Sequence, residues 1–263
     1  MPAAKTRASE TITIPTLKFE RITVALRGRT GLYINRMPAK AKRDLLIGSQ
    51  KKTQAERKEI KHKPREEYQD CMHIDEAWHE YSNVRFPAMA IKSAMGTAAL
   101  MTPGIKKTDV SRLVFIPDEN VPIFGIPKLR MTVMRSADIN RTPDVRTRPW
   151  FEHWGTIITI QYSTPSLSKN SILALLSNAG IVCGVGDERQ DKGKGSAGTF
   201  EVADSAKATD KGPGKIDLVK VFGEDMLNRD GQFEAIQSPV AADSETEFLL
   251  KQFDDEVLHR ASA

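Results

Sequence analysis

The chain has 263 residues, 40% of them hydrophobic, and a formal net charge of +5 from 39 Lys and Arg against 34 Asp and Glu. This length predicts one domain with appendages, or two small domains. No apolar run approaches 18 residues and no signal-peptide core is seen, so we expect a cytoplasmic protein without membrane contact. Two distant cysteines, Cys71 and Cys183, exclude a disulfide framework and a CxxC zinc site.

Charge is distributed unevenly along the chain. Residues 21–70 hold 14 Lys and Arg against 6 Asp and Glu, and residues 126–150 hold 6 against 2. Residues 216–263 reverse the balance, with 4 against 11. A basic body with an acidic tail predicts a polyanionic partner for the body. The alternative is a protein with uneven charge and no such partner.

Hydrophobic periodicity predicts the elements in chain order. The predicted strands are 11–14, 17–26, 32–36, 84–87, 113–116, 129–135, 155–162 and 199–202. The predicted helices are 88–101, 169–179 and an acidic amphipathic helix at 245–258. Residues 38–70 are helical in composition, and within them 51–63 is interpreted as a solvated or disordered insertion that can order on a polyanion. Residues 203–215 are predicted to be a linker. The order strand–helix–strand–strand–helix–strand fits a ferredoxin-like α+β unit with insertions between its elements.

A glycine-rich segment at 184–198, here called the glycine loop, lies between the helix at 169–179 and the strand at 199–202. It contains five glycines, three cations and three acids. Glycine lets a backbone approach a ligand closely, so we expect the loop to contact phosphates. It is neither a dinucleotide fingerprint nor a P-loop, because no helix begins after its glycines. The alternative is a disordered surface hairpin.

An arginine-rich segment follows the strand at 129–135. Four arginines are followed closely by three aromatic residues, in the order Arg135, Arg141, Arg146, Arg148, Trp150, Phe151 and Trp154. Arginines bind phosphates and aromatic rings stack on unpaired bases, so the segment favours contact with single-stranded nucleic acid. For the two tryptophans we favour core packing instead.

Support for catalysis is weak, because the five histidines show no HxH or HExxH spacing. His73 and His79 flank an acidic pair that could bind a metal, but a solvated helix face is the favoured interpretation. His153 lies near Arg148 and could act as a general acid–base in RNA cleavage, although packing between aromatic residues is favoured. We therefore assign no catalytic residue, no metal site and no cofactor.

Three segments together resemble the RAMP superfamily, the repeat-associated RNA-binding proteins of CRISPR effectors. Residues 22–34 look like the family's opening strand and its Thr-Gly-Leu-x-Ile turn. Residues 86–99 are similar to its helix entry: Lys92 stands at the basic position, whereas Met89 replaces a serine and Gly96 an arginine. The third segment is the glycine loop. The chain also resembles uncharacterised tailed-phage proteins with a Phe-Pro-Ala-x-Ala-x-Lys-x-Ala helix and a Gly-Val-Gly loop.

The RAMP resemblance implies a ferredoxin-like (RRM-like) palm with inserted fingers and thumb, in which basic residues hold a sugar–phosphate chain. It divides the chain into a nucleic-acid-binding core at 1–205, with a fingers-like basic helical insertion at 36–82 and a thumb-like Arg- and Pro-rich insertion at 117–150. A linker and acidic helix at 206–263 complete it. The expected contacts are Arg29, Arg36, Lys42, Arg43, Lys92, Arg112, Arg130, Arg135, Arg141, Arg146, Arg148, Gly184, Gly186, Arg189, Lys192, Gly193, Lys194, Gly195 and Gly198.

The expected function is non-enzymatic binding of single-stranded nucleic acid, with RNA favoured by the resemblance. The resemblance also implies self-association or other subunits, forming a filament or multi-subunit complex on the strand. One alternative is a phage single-stranded-DNA-binding, annealing or virion-assembly protein in the host cytoplasm. Another is a metal-independent RNA endonuclease that uses His153 or His79.

Overall fold

The computed structural model describes residues 16–47, 62–135, 143–192, 195–208 and 212–262. Antiparallel sheets combine with helices in this part of the chain, which agrees with the predicted α+β class. The strands are β1 (Lys18–Gly28), β2 (Leu32–Tyr33), β3 (His73–His79), β4 (Ser82–Pro87), β5 (Val114–Phe115), β6 (Asn120–Pro122), β7 (Pro127–Arg135), β8 (Pro143–Phe151), β9 (Gly155–Thr164) and β10 (Phe200–Ala208). The helices are α1 (Ala39–Ile47), α2 (Pro64–Asp70), α3 (Ala88–Ala98), α4 (Lys107–Leu113), α5 (Lys169–Val182), α6 (Leu218–Phe222), α7 (Arg229–Gln237) and α8 (Ser244–Ser262).

The central sheet has four strands in the order β10–β1–β9–β5, and every neighbouring pair is antiparallel. Two three-stranded sheets, β2–β8–β7 and β3–β4–β6, flank it. Because side chains alternate between the two faces of a strand, Ile22, Val24 and Leu26 all enter the main core. That core is completed by residues of α3 and α5, so these two helices cover one face of the central sheet.

Close packing of α5 depends on a small residue. At Gly180, a Cβ would lie 2.0 Å from the carbonyl oxygen of Phe200 on β10, so only glycine allows this approach. The helix is capped by Ser168, whose hydroxyl accepts a hydrogen bond from the Ser171 amide at 3.1 Å. The packing fixes where the glycine loop leaves α5.

The opposite face of the central sheet, here called the outer face, is covered at one end. Ala25 packs there with Phe124, Phe222 and Leu227, the last two from the C-terminal part of the chain. Farther along β1, the amide of Gly214 donates to the Thr23 hydroxyl at 2.7 Å. The C-terminal segment therefore crosses the outer face over the middle of β1.

Several predicted elements were wrong. Residues 73–79 form a strand paired with β4 rather than a solvated helix face, because tertiary pairing overrides the charged composition. Residues 203–208 belong to β10, which pairs with β1, so the first six residues of the predicted linker and the boundary at 205 lie inside a strand. Only Leu32 and Tyr33 of the predicted strand 32–36 pair with β8. The predicted strand 11–14 lies outside the described residues.

No helix in the described ranges is both long enough and apolar enough to cross a lipid bilayer.

Candidate functional site

Three segments that the sequence singled out meet around one cleft. They are the chain after β2, the start of α3 and the glycine loop. The cleft has a volume of about 270 Å³. Its lining consists of Ile34, Asn35, Arg36, His73, Phe86, Pro87, Ala90, Gly186, Asp187 and Arg189. Segments separated by more than 50 residues along the chain thus contribute to a single concave surface.

Two half-buried arginines supply the positive charge of the cleft. Arg36 donates from Nη1 to the carbonyl oxygen of Met72 at 3.2 Å, and its buried Nε makes no hydrogen bond to the described residues. Arg189 donates from Nη1 to the carbonyl oxygen of Gly186 at 2.9 Å and pairs with Asp191 at 2.7 Å. Planar guanidinium groups held in this way match the geometry of phosphate oxygens.

The N-terminus of α3 adds a partial positive charge to the same wall. Pro87 precedes the helix, no side chain caps it, and the Ala88 amide donates to the carbonyl oxygen of Glu119 at 2.9 Å. Aligned peptide dipoles make the first turn of a helix favourable for anions. Since Ala90 of that turn lines the cleft, this charge acts on the same space as the two arginines.

The described part of the glycine loop is held by backbone hydrogen bonds, unlike a disordered hairpin. The Val185 amide donates to the Gly198 carbonyl oxygen at 2.9 Å, and the Asp187 amide donates to that of Tyr33 at 3.0 Å. Gly186 has a φ of +83°, and a Cβ there would lie 2.5 Å from the Tyr33 oxygen. Glycine is required at this position both for its backbone conformation and for its closeness to β2.

Arg148 was predicted to contact nucleic acid, and this prediction was wrong. Its side chain is only 1% exposed and pairs with Asp187 at 2.8 Å and Glu188 at 2.5 Å. Burial alone would lower the pKa of Arg148, but the two carboxylates outweigh burial and raise it. Burial likewise pushes the pKa of Asp187 up, whereas hydrogen bonds from Asn35 and Arg148 bring it below its ordinary value. Arg148 therefore anchors the glycine loop from inside the protein.

The aromatic residues of the arginine-rich segment divide between core and surface. Trp154 is 1% exposed and donates from Nε1 to the carbonyl oxygen of Thr30 at 2.8 Å, which confirms its predicted core packing. Trp150 is half-buried, with its ring centroid 4.5 Å from that of Tyr33 and 4.9 Å from the guanidinium carbon of Arg130. Arg130 also pairs with Asp243 at 3.0 Å, so it is held within this cluster.

The remaining predicted contacts do not line the cleft. Lys92 is half-buried and donates to the carbonyl oxygen of Ser111 at 3.2 Å. The exposed residues are Arg29, Lys42 and Arg43 on and before α1, Arg112 at the end of α4, Arg135 and Arg146 on β7 and β8, and Lys192 in a short turn of 3-10 helix. Gly184 and Gly198 have positive φ and Gly195 packs against Glu188, so these three shape the loop. Arg141, Gly193 and Lys194 lie outside the described residues.

His73 was missed as a cleft residue because it was interpreted as part of a helix. Burial, followed by the charges of Arg36, Lys42 and Arg85, lowers its pKa below the ordinary histidine value. A neutral imidazole beside two guanidinium groups can take up a proton when an anion binds. The sequence of β3 does not alternate regularly between apolar and polar residues, so only its pairing with β4 identifies it as a strand.

The other candidate histidines lie away from the cleft. His79 accepts a hydrogen bond from the Tyr81 amide at 3.1 Å and packs 5.4 Å from the Phe124 ring; burial lowers its pKa. His153 is exposed in the turn before β9. Asp75 pairs with Arg85, and the described residues contain no cluster of three His, Cys, Asp or Glu side chains that could hold a metal ion.

Comparisons with known proteins identify no family. No family model matches this chain, and no curated protein matches it. A chain in the cryo-EM structure of the type III-B Cmr-beta bound to cognate target RNA is similar, with a TM-score of 0.39 and 12% sequence identity. The similarity covers 73% of this chain and 61% of that chain, so this chain spans about three-fifths of the other's length. The function proposed below rests on the geometry of the cleft and, for the choice of RNA, on the resemblance of the three sequence segments.

Proposed function

We propose that this protein binds single-stranded nucleic acid without cleaving it, and that the cleft holds phosphates of the sugar–phosphate chain. The observation that carries the proposal is the meeting of Arg36, Arg189 and the N-terminus of α3 around one cleft. A guanidinium group and a helix N-terminus each favour a phosphate, and both line this cleft, where Arg189 also pairs with Asp191 and the Asp187 carboxylate pairs with buried Arg148. RNA is the expected strand, from the resemblance of the three segments to RNA-binding proteins.

We also infer that the central sheet with α3 and α5 is a ferredoxin-like unit of the RAMP type. Strands β1, β5, β9 and β10 serve as its first, second, third and fourth strands, and the sheet order β10–β1–β9–β5 then reads fourth–first–third–second. Helices α3 and α5 are the two crossovers on one face. The other two sheets then belong to insertions, which supports the fingers-like and thumb-like segments.

A single strand fits this site better than a duplex does. Arg36 and Arg189 are half-buried in the walls of the cleft rather than raised on a convex surface. A flexible chain can turn its phosphates into such a recess, whereas a duplex presents phosphates along a rigid helix. Sequence preference is expected to be weak, because phosphate contacts position a strand without reading its bases.

The test is fluorescence anisotropy with labelled U15, dT15 and a 15-base-pair duplex across a range of salt concentrations. Two phosphates neutralised in the cleft predict a slope of log affinity against log salt of about −1.4 for single strands. We expect both single strands to bind more tightly than the duplex, with U15 the tighter of the two. A flat salt response, or equal binding of the duplex, contradicts the proposal.

The absence of cleavage is tested separately. Labelled RNA incubated with the protein in EDTA is expected to stay intact, and it should stay intact with His73→Ala as well. Product from the native chain that disappears in His153→Ala or His79→Ala would instead identify a metal-independent endonuclease. Assembly is read by sizing before and after nuclease treatment: oligomers that need the strand support assembly on nucleic acid, and oligomers that persist without it favour a virion-assembly role.

A further inference from the structure

The cleft contains one carboxylate beside its two guanidinium groups. Asp187 lines it, and 34% of this side chain is exposed although its carboxylate also pairs with buried Arg148. A carboxylate repels a phosphate, so a recess that held phosphate alone would be better without this charge. The anchoring of the glycine loop explains why Asp187 is present, but it does not use every acceptor position of the side chain.

The hydrogen bonds of Asp187 fill one carboxylate oxygen and leave the other partly open. Oδ2 accepts from Nη1 of Arg148 at 2.8 Å and from Nδ2 of Asn35 at 3.0 Å. Among the described residues, Oδ1 accepts only from the Glu188 amide, at 3.1 Å. Each carboxylate oxygen has two lone pairs, so Oδ1 retains one acceptor position. Burial raises the pKa of Asp187, but hydrogen bonds from Asn35 and Arg148 bring it below its ordinary value, so the ionised group can only accept.

Asn35 places a hydrogen-bond donor next to that acceptor. Its side chain is exposed at the cleft, and its Oδ1 accepts from Sγ of Cys71 at 3.7 Å. Burial raises the pKa of this thiol to about 11, so Cys71 keeps its proton and donates. The thiol and the Asp187 carboxylate together fix which way the amide points. Nδ2 has two hydrogens and gives one to Asp187, and no described residue accepts the second.

A donor beside an acceptor suits a hydroxyl group, which accepts one hydrogen bond and donates another. Phosphate oxygens can only accept, so the pair of Asn35 and Asp187 does not suit a phosphate. The ribose 2′-hydroxyl is both donor and acceptor, and it is the group by which a protein distinguishes RNA from DNA. It lies within one nucleotide of a phosphate, and the cleft, with a volume of about 270 Å³, brings the pair and both arginines to one space.

We propose that Asn35 and Asp187 bind a ribose 2′-hydroxyl in the cleft, so that the cleft itself selects RNA over DNA. Nδ2 of Asn35 donates to the hydroxyl oxygen, and Oδ1 of Asp187 accepts the hydroxyl hydrogen. The inference rests on the proposed function, because a phosphate of the same strand lies against Arg36 and Arg189. The preference for RNA then has a cause in two side chains of this protein.

The edge of a base also carries donors beside acceptors, but the cleft favours the sugar. A phosphate and the 2′-hydroxyl are both attached to the ribose ring, whereas the base edge lies beyond the glycosidic bond. Since Arg36, Arg189 and Asp187 line one small recess, the sugar is the part of a nucleotide that reaches both kinds of charge. A base contact would make affinity depend on base identity, which a comparison of U15 with A15 detects.

The experiment compares labelled uridine 15-mers that differ only at the 2′ position, which carries hydroxyl, fluorine, methoxy or hydrogen. We expect the native chain to bind the hydroxyl strand roughly 10-fold more tightly than each of the other three, because each of them lacks the hydrogen that Asp187 accepts. The fluoro strand keeps the sugar pucker of RNA, so it separates a hydroxyl contact from recognition of strand shape. A15 should bind as U15 does.

Three results have different meanings. Equal binding of the hydroxyl and fluoro strands overturns this inference, while a salt-dependent affinity for both would still support the proposed function. A preference that follows base identity also overturns it and assigns the pair to a base edge. If none of the strands binds, the proposed function itself fails.

Two substitutions separate recognition from the anchoring of the loop. Asp187→Asn removes a negative charge from the cleft, so we expect affinity for the 2′-deoxy strand to rise about twofold while affinity for U15 falls to the same value. A purely structural role of Asp187 would lower both affinities together. Asn35→Ala keeps the pair with Arg148 and should reduce the hydroxyl preference about threefold at an unchanged melting temperature.

The matched control is Asn170→Ala, an exposed asparagine at the start of α5 and outside the cleft, which should leave the preference unchanged. A preference that survives in Asn35→Ala and Asp187→Asn overturns the inference. The strand series on the native chain and Asn35→Ala decide it even if Asp187→Asn does not fold.

Discussion

The cleft and the outer face of the central sheet differ in how they are built. The cleft is concave, assembled from three distant segments and held by buried ion pairs, whereas the outer face is flat and needs only the alternation of β1, β5 and β9. The first depends on long-range packing, and the second depends on strand register. A substitution that disturbs the packing of the interior should therefore change the geometry of the cleft and leave the outer face unchanged.

Removing the buried arginine should have the largest effect on the protein. Arg148→Met leaves Asp187 and Glu188 without their shared cation, and we expect a loss of about 3 kcal/mol in the free energy of unfolding. Urea denaturation measures it. Arg146→Met, two residues away on the same strand and exposed, should change stability by less than about 0.5 kcal/mol. Equal effects of the two substitutions would contradict the anchoring role.

A second variant tests whether the backbone of the glycine loop is required. Gly198→Ala combines a φ of +69° with a Cβ placed 1.8 Å from the carbonyl oxygen of Val185, so we expect a loss of about 2 kcal/mol or more. Gly104→Ala is the control, because its φ is +84° and nothing lies within 4 Å. That substitution should cost about 1 kcal/mol. The difference in melting temperature between the two variants separates the cost of the Cβ clash from the cost of a positive φ.

Charge reversal in the cleft tests whether its arginines contact the phosphates rather than the bases of a strand. In Arg36→Glu/Arg189→Glu we expect affinity for U15 and for an abasic strand of the same length, which keeps the phosphates and lacks the bases, to fall together, by about 30-fold at low salt, and the salt slope to flatten by about 1.4. Lys220→Glu/Lys251→Glu, two exposed lysines of the acidic C-terminal region, serves as the control. Should the control lose as much affinity, net charge rather than the cleft would explain binding.

The smallest predicted effect is a pH dependence that belongs to the cleft alone. His73 has a lowered pKa in the free protein because of burial and the charges of Arg36, Lys42 and Arg85, with Glu119 acting in the opposite direction. A bound phosphate raises that pKa, so the complex takes up a proton on binding and affinity increases as the pH falls.

We expect U15 to bind about threefold more tightly at pH 5.5 than at pH 7.5. His73→Gln should abolish this dependence, and His153→Gln, with an exposed imidazole outside the cleft, should preserve it. Anisotropy titrations at the two pH values measure the difference. A dependence retained in His73→Gln would assign it to another group.

Local signals predicted the parts of the cleft, but not their meeting. A glycine in a loop predicts a positive φ, as found at Gly186, and small residues at helical spacing predict the close packing of α3. The partners of Arg148 lie 39 and 40 residues away, so no local pattern distinguishes it from the exposed Arg146. Arg148 is buried because the fold brings Asp187 and Glu188 beside it, whereas Arg146 has no such partners among the described residues and stays exposed.

Strand register explains what else escaped prediction. The charged composition of 73–79 favoured a solvated helix, yet pairing with β4 made it a strand and brought His73 to the cleft. Phe19 and Phe115 look like ordinary core residues in the sequence, since both lie in apolar strands. Only the position of the C-terminal segment over Thr23 shows that neither ring is covered by it.

The cluster of Trp150 with Tyr33 and Arg130 gives the protein an internal optical reporter. Indole emission responds to a nearby guanidinium and to solvent. Trp150 is half-buried beside Tyr33, and the carbonyl oxygen of Tyr33 accepts a hydrogen bond from the Asp187 amide of the glycine loop. A strand that enters the cleft displaces water and adds negative charge close to this cluster. We therefore expect the proposed binding in the cleft to change the Trp150 contribution to the chain's emission, over a background from Trp78 and Trp154 and without a label on either partner.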